Sequence, residues 1–181
     1  MTLTKPIPIC TALLFAVVTP SAAQKPFTVE GAYQVTHVPQ QTLRLGWMAE
    51  AAVRVTHGWG GVGEISGTYK TVADTALTSN VKLGIHVYAG GIRWTPRPEG
   101  SVAPHLQLLV GAEHASVHTS IASHEIGESM THLMIQPGVG VSLPLRGPVR
   151  AAAQIDYRRV FMDENADRNR VRLLVGFRFG W

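Results

Sequence analysis

Cysteine and long apolar runs are what this 181-residue sequence has least of. The single cysteine, Cys10, lies in an N-terminal leader, so the rest of the chain can form neither disulfides nor cysteine-ligated metal sites. No apolar run approaches the roughly 18–20 residues of a membrane-spanning helix. Charged residues make up only 15% of the chain, and its net charge of +4 is scattered. The absence of a basic run argues against nucleic acid as a partner.

The first 23 residues have the pattern of a secretory signal peptide. Lys5 supplies a positive charge, residues 9–18 form a short apolar core, and Pro20-Ser21-Ala22-Ala23 resembles a small-residue cleavage site. We therefore expect residues 1–23 to be removed and residues 24–181 to form a single exported domain.

Apolar and polar residues alternate with a period of two through most of that domain, which is typical of β-strands. The stretch 43–55 is the clearest case, and its thirteen residues suit a tilted bilayer crossing of roughly 9–11 residues plus its ends. A glycine pair, Gly90-Gly91, predicts a bulge in the fourth segment, where the alternation slips. Eight segments alternate in this way: 27–36, 43–55, 61–70, 81–94, 103–117, 133–145, 149–161 and 170–181.

The connections between these segments also follow a pattern. Those after the second, fourth and sixth segments are short, and those after the third, fifth and seventh are longer and polar. We expect polar loops at 71–80, 118–131 and 162–169. Short turns on one side and longer loops on the other are typical of outer-membrane barrels. The sequence therefore predicts an all-β fold, an eight-stranded antiparallel up-and-down transmembrane β-barrel.

Alternation alone fits two kinds of barrel. A soluble, lipocalin-like ligand-binding barrel keeps its apolar residues inside, whereas a membrane barrel turns them outward. The outward arrangement is favoured because aromatic residues share a face with the aliphatic ones, the other face is rich in glycine and alanine, and the chain ends on an aromatic residue. The expected membrane-interface aromatics are Tyr33, Trp47, Tyr69, Tyr157, Phe177, Phe179 and Trp181.

With the apolar face outward, the lumen receives many charged residues. Eight strands leave little more room than side chains fill, and buried charges persist only when they are paired. We expect an ion-pair network of Arg44, Glu50, Arg54, Glu64, Glu113, Asp156, Arg158 and Arg178. Other lumen positions are Glu30, Lys70, Lys82, Arg172, Gln107, Gln136 and Gln154. Such a network either fills the lumen and fixes the strand register, or re-pairs to open a narrow pore.

The chain resembles the small eight-stranded bacterial outer-membrane barrels, namely the OmpA-like transmembrane domain and the related outer membrane protein beta-barrel group. The resemblance rests on the signal peptide, the Asp156-Tyr157-Arg158 strand and the ending at residues 175–180. It implies location in the cell outer membrane, contact with outer-membrane lipid and lipopolysaccharide, and insertion by the barrel-assembly machinery through the C-terminal strand. Trp181 stands where that family more often has Phe. We expect a monomer whose role is structural, surface-binding or that of a narrow pore.

Enzymatic and metal-binding alternatives rest on the fifth strand and the loop after it. His114, Ser116 and Glu128 resemble the residues that some eight-stranded barrels use to deacylate lipid A, since a serine nucleophile needs a histidine base and an orienting carboxylate. His118, His124 and His132 lie nearby without tight ligand spacing. We expect no enzyme, no cofactor and no metal site.

Overall fold

The computed structural model describes residues 27–38, 41–56, 58–74, 79–98, 100–121, 124–162 and 168–180, so the predicted signal peptide lies outside the described residues. Nine β-segments account for almost all of them. They are β1 (Phe27–Val38), β2 (Gln41–Leu43), β3 (Leu45–Thr56), β4 (Trp59–Asp74), β5 (Ser79–Trp94), β6 (Ala103–Ile121), β7 (His124–Arg146), β8 (Val149–Val160) and β9 (Arg168–Gly180). The described residues contain no helix that is long and apolar enough to cross a membrane.

The segments form one closed antiparallel barrel with eight strands in its wall. Each strand from β3 to β8 pairs with the next along the chain, and β1 closes the ring by pairing with β9. β2 and β3 both pair with β1, and the register changes by one residue between the pairs Thr36–Leu43 and Tyr33–Trp47. β2 and β3 therefore form a single wall strand interrupted by a bulge at Arg44.

The two faces of the wall are oriented as a membrane barrel requires. On β1, Glu30 and Gln34 are buried in the lumen, whereas Val29 and Tyr33 are exposed on the outer surface. Aliphatic and aromatic side chains cover the outside of every wall strand. The lipocalin-like alternative, which needs the apolar face inside, is therefore wrong.

β5 differs from the sequence-based expectation. Its register with β4 and β6 is continuous through Gly90 and Gly91, so the predicted bulge is absent. Val87 and Arg93 share the buried face, and Lys82, which we expected in the lumen, is exposed. The alternation misled because β5 carries apolar residues on both of its faces.

Two hairpins extend farther than the sequence indicated. The expected polar loops at 71–80 and 118–131 are mostly paired strand, because β4 runs to Asp74 and β6 runs to Ile121. Residues 70–74, 79–83, 117–121 and 124–128 pair in that order, whereas β3 reaches β4 only as far as Tyr69 and β8 begins to pair with β7 at Met134. These four stretches, called the projecting sheet below, rise beyond the closed wall.

The barrel has two distinct ends. At the turn end, β1 begins, β9 ends, and the connections 57–58, 95–102 and 147–148 join neighbouring strands. Gly58 and Gly147 have φ values of 88° and 59° in these turns, which glycine adopts without steric cost. The hairpin end, opposite, carries the projecting sheet. In outer-membrane barrels the short turns face the periplasm, so we assign the turn end to that side.

Candidate functional site: the charged lumen

Arg172 lies at the centre of the lumen and is fully buried. Its NH1 group is 2.8 Å from Glu64 Oε1, and its NH2 group is 2.5 Å from Asp156 Oδ2. NH1 also donates to Gln34 Oε1 at 2.9 Å. One guanidinium from β9 thus joins side chains of β1, β4 and β8 across the barrel.

Arg158 and Arg170 complete this central group. Arg170 NH1 is 2.6 Å from Glu113 Oε2. Arg158 lies 3.6 Å from both Glu64 and Glu113, and its Nε donates to Gln136 Oε1 at 2.8 Å. Three guanidinium groups therefore match three carboxylates: Arg158, Arg170 and Arg172 against Glu64, Glu113 and Asp156. Buried charges are tolerated when they are matched and hydrogen-bonded in this way.

A second ion-pair group lies closer to the turn end. Arg178 NH2 is 2.6 Å from Glu30 Oε2, and Arg93 NH2 is 2.5 Å from Glu50 Oε2. Arg93 Nε also donates to Gln107 Oε1 at 3.2 Å. Two guanidinium groups again match two carboxylates, so the turn-end group is also balanced in formal charge.

Gln154 connects the two groups. Its Nε2 donates to Asp156 Oδ1 at 2.9 Å, and its Oε1 lies 2.9 Å from His105 Nε2. His105 Nε2 in turn lies 3.4 Å from the Arg178 guanidinium. Gln154 and His105 therefore join the central group to the Arg178–Glu30 pair.

The structure places most of the expected network residues in these groups: Glu50, Glu64, Glu113, Asp156, Arg158 and Arg178. Arg44 is not among them, because the bulge between β2 and β3 leaves its side chain exposed. Arg54 is half-buried near the turn end and forms no ion pair with the described residues. The partner of Glu50 is Arg93 rather than either of these two arginines.

Three network residues were missed by sequence reasoning. Arg93 was missed because Lys82 and its alternates were placed on the inner face of β5, whereas counting by twos from Arg93 places Val87 and Ile85 in the lumen. Arg170 lies on the same face of its strand as Arg172 and Arg178, so it could have been included in the predicted network. His105 alternates with the expected lumen residue Gln107, but nothing in the sequence marked it as a bridge to Gln154.

Toward the hairpin end, apolar side chains occupy part of the lumen, next to the buried Thr68. A buried cluster of six side chains fills it: Val38, Leu43, Ile85, Val87, Met134 and Val160. Met134 and Val160 are completely inaccessible to solvent. This lumen apolar cluster lies between the charged groups and the end of the barrel from which the projecting sheet rises.

The expected interface aromatics lie on the outer surface, with the exception of Trp181, which falls outside the described residues. Tyr33 and Trp47 are cross-strand partners, and the Tyr33 hydroxyl donates to the carbonyl of Arg44. Trp47 Nε1 donates to the Tyr69 hydroxyl at 3.4 Å. Tyr157, Phe177 and Phe179 are also exposed on the outside. A further pair, Trp59 and Trp94, lies near the turn end with ring centroids 6.2 Å apart.

The deacylase alternative fails on geometry. His114 Nδ1 lies 2.9 Å from Thr131 Oγ1, and Ser116 Oγ donates to the carbonyl of Gly84 at 3.4 Å. Glu128 is the cross-strand partner of Val117, so its side chain lies on the opposite face of the sheet from Ser116. These residues therefore do not form a serine–histidine–carboxylate arrangement.

The histidines of this region do not assemble a metal site in the part of the chain that is described. The side chains of His118 and His124 fall outside it. Among the side chains that the structure does describe, no three potential ligands come together.

Solved structures share the fold of this chain. A scan against family models and a search of curated proteins gave no match. Ail, the attachment invasion locus protein of Yersinia pestis, matches with 14% identity, a TM-score of 0.61, and coverage of 87% of this chain and 98% of Ail. Neisserial surface protein A matches with 15% identity, a TM-score of 0.63, and 86% and 96% coverage. A major outer membrane protein from Thermus thermophilus matches with 12% identity, a TM-score of 0.64, and 88% and 100% coverage.

At these identities the likeness establishes the fold, a small eight-stranded outer-membrane β-barrel. The structure supplies the physical counterpart: an apolar outer surface and a polar, ion-paired interior. Together they place the protein in the bacterial outer membrane, with buried charged residues forming salt bridges in its lumen.

Proposed function

We propose that this protein is a non-conducting, non-enzymatic outer-membrane barrel that binds partners through its projecting sheet. The observation that carries the proposal is the contrast between an occupied lumen and a long hairpin that projects beyond the wall. The five carboxylates and five guanidiniums of the two ion-pair groups are matched, and the lumen apolar cluster covers them. Ion conduction needs a continuous polar path, which such an apolar layer interrupts.

The edge of β7 is the part of the projecting sheet best suited to binding. Among the described residues, β8 pairs with β7 only from Met134 toward the turn end, so residues 124–132 have a strand neighbour on one side only. The open side of an edge strand offers backbone donors and acceptors to an incoming strand. An extended polypeptide could add to the sheet there, with affinity from main-chain hydrogen bonds and specificity from alternate side chains.

The membrane partners follow from the outer surface. The exposed aliphatic residues lie against lipid, and the exposed aromatics suit the headgroup region. We propose that lipopolysaccharide covers the wall near the hairpin end, and that the assembly machinery engages β9 through Phe177 and Phe179. We also propose that the barrel is a monomer, since its wall closes without a second chain.

Shortening the β6–β7 hairpin tests the binding function. Joining Ser116 to Ser129, which are cross-strand partners, through an Asn-Gly turn removes the tip without changing the register below it. Cells displaying the full or the shortened protein are compared for retention on a permanently unfolded polypeptide, such as reduced and carboxymethylated α-lactalbumin. We expect retention to fall at least tenfold on shortening.

Two controls make this test specific. Shortening the neighbouring β4–β5 hairpin between the partners Lys70 and Leu83 leaves the β7 edge intact, and retention should persist. In a second arm, retention of the same cells is measured on a heparin coating, because a structure of Ail was solved in complex with the heparin analogue sucrose octasulfate. Equal retention of full-length and β6–β7-shortened cells on the unfolded polypeptide would contradict binding at this edge.

A further inference from the structure

A cavity of about 90 Å³ opens at the turn end, below the second ion-pair group. A single water needs about 10–15 Å³ of such space, so the cavity can hold a small polyatomic ligand. Its lining is strongly basic and, among the described residues, includes no carboxylate. The four arginines that line it are Arg54, Arg93, Arg150 and Arg178.

Two of these arginines have no acidic partner among the described residues. Arg54 forms neither an ion pair nor a side-chain hydrogen bond there. Arg150 donates only to neutral oxygens: Nε to Ser142 Oγ at 3.1 Å, and NH2 to the carbonyls of Gly100 and Ser142 at 2.9 and 3.0 Å. Among the described residues, therefore, no carboxylate pairs with Arg54 or Arg150, whereas every carboxylate of the turn-end group is already matched.

Arg93 provides an independent sign of a missing acceptor. Its side chain is 5% exposed, and NH2 is engaged with Glu50. NH1, however, is buried without a hydrogen-bond partner, and, unlike Arg172, whose Nε is also unpartnered, Arg93 lines the cavity. A buried guanidinium nitrogen without an acceptor is costly, so such a group in a native structure indicates a ligand or an ordered water.

The rim of the cavity is held in place and carries hydroxyl groups. The Thr95 amide donates to the carbonyl of Gly58 at 2.7 Å, and Arg150 holds Gly100, so the turn 95–102 is fixed from two sides. Ser142 Oγ accepts from Arg150, which leaves its own proton free to donate. Thr28 and Thr95 also line the cavity.

We propose that this turn-end cavity binds a phosphate-type oxyanion. Guanidinium groups recognise tetrahedral oxyanions through paired N–H donors, and serine and threonine hydroxyls supply further donors. A bound dianion would neutralise Arg54 and Arg150 together and give Arg93 NH1 an acceptor. The turn end is the one assigned to the periplasmic side, so the oxyanion is either inorganic phosphate or the phosphoryl group of a phospholipid headgroup.

Calorimetric titration of the folded protein in a phosphate-free, non-ionic detergent tests the proposal. One arm uses inorganic phosphate and the other uses dihexanoyl phosphatidylglycerol, so the two sources are distinguished. We expect saturable binding in at least one arm and at least tenfold weaker binding for Arg54→Gln and Arg150→Gln. Arg97→Gln removes an exposed arginine from the same end outside the cavity, and its affinity should stay within twofold of wild type.

Arg54→Gln is the decisive variant, because Arg54 holds no other described residue in place and its loss should not disturb folding. Heat-modifiable gel mobility confirms that each variant is folded. If the two titrants compete for binding, both bind in the same cavity. The proposal is overturned if neither titrant binds the wild-type protein, or if folded Arg54→Gln binds as tightly as wild type.

Discussion

The lumen of this barrel is filled by two different chemistries, and comparing them shows how its sequence specifies its interior. Near the middle and the turn end, five carboxylates meet five guanidiniums with side-chain distances down to 2.5 Å. Toward the hairpin end, six apolar side chains pack as in a soluble core. Charge complementarity determines which side chains meet near the middle and the turn end. Side-chain shape and volume determine the packing toward the hairpin end.

The two regions also differ in what a single substitution leaves behind. Removing one charge from the network leaves its buried partners without a counter-ion. Removing one side chain from the apolar cluster leaves only a cavity. The barrel should therefore lose more stability when a buried charge is removed than when a similar volume of apolar side chain is removed.

The largest effect is expected for Arg172→Met, which keeps most of the side-chain volume but removes the central charge. Glu64 and Asp156 would then lose their closest cation. We expect the free energy of unfolding, measured by urea titration in lipid vesicles, to fall by about 3–5 kcal/mol. Arg97→Gln, at an exposed position, is the control. A loss below about 1 kcal/mol would show that the network is not tightly coupled to folding.

Met134→Ala probes the apolar cluster and should have the next largest effect. Met134 is completely buried, and truncation leaves a cavity costing about 2–4 kcal/mol, since buried Met or Leu to Ala changes cost about 2–5. Met162 packs against the cluster and can partly fill the space. Met134→Leu, which conserves volume, should cost less than about 1.5 kcal/mol in the same urea titration. A larger loss for Met134→Ala than for Arg172→Met would reverse the comparison.

Replacing a whole ion pair sharpens the comparison further. Arg93 and Glu50 are mutual partners, so Arg93→Met or Glu50→Leu alone leaves a charge unmatched. The double substitution removes both charges, and we expect its stability to lie within about 1 kcal/mol of wild type. The double-mutant cycle should give a coupling energy of about 1–3 kcal/mol. Additive single effects would mean that the pair does not act as a unit.

The smallest effect is expected at Arg44, which sequence reasoning had placed in the network. Its side chain is exposed at the bulge, so Arg44→Ala should change the free energy of unfolding by less than about 0.5 kcal/mol. A loss comparable with that of Arg172→Met would show that Arg44 does reach the lumen.

The sequence predicted the barrel and most of its inner face because alternation is a local property. On β1, β6, β8 and β9, each strand carries one apolar and one polar face. β5 was misjudged since it is apolar on both faces, as Val87 inside and Tyr88 outside illustrate. The projecting sheet was mistaken for loops for the opposite reason. Its described side chains at 127–131 are all exposed, and the stretch 118–131 shows no alternation to identify it as strand.

Pairing within the lumen was beyond sequence reasoning. Arg172 and Glu64 are separated by 108 residues and meet only because the closed wall brings β9 and β4 to facing positions. Their contact depends on the stagger of all eight strands, and a single bulge at Arg44 was enough to remove one expected member. Composition could show that the charges must be matched, but only the register shows which ones meet.

Single-channel recording in planar bilayers tests the central claim, that the lumen is sealed, most directly. Under the proposed function, the folded protein should insert without producing discrete conductance steps, since matched ion pairs and apolar side chains occupy the described lumen. A large porin recorded in the same bilayers verifies that steps are detectable. Reproducible steps from the wild-type barrel would contradict a sealed lumen and favour a narrow pore that opens by re-pairing of the network.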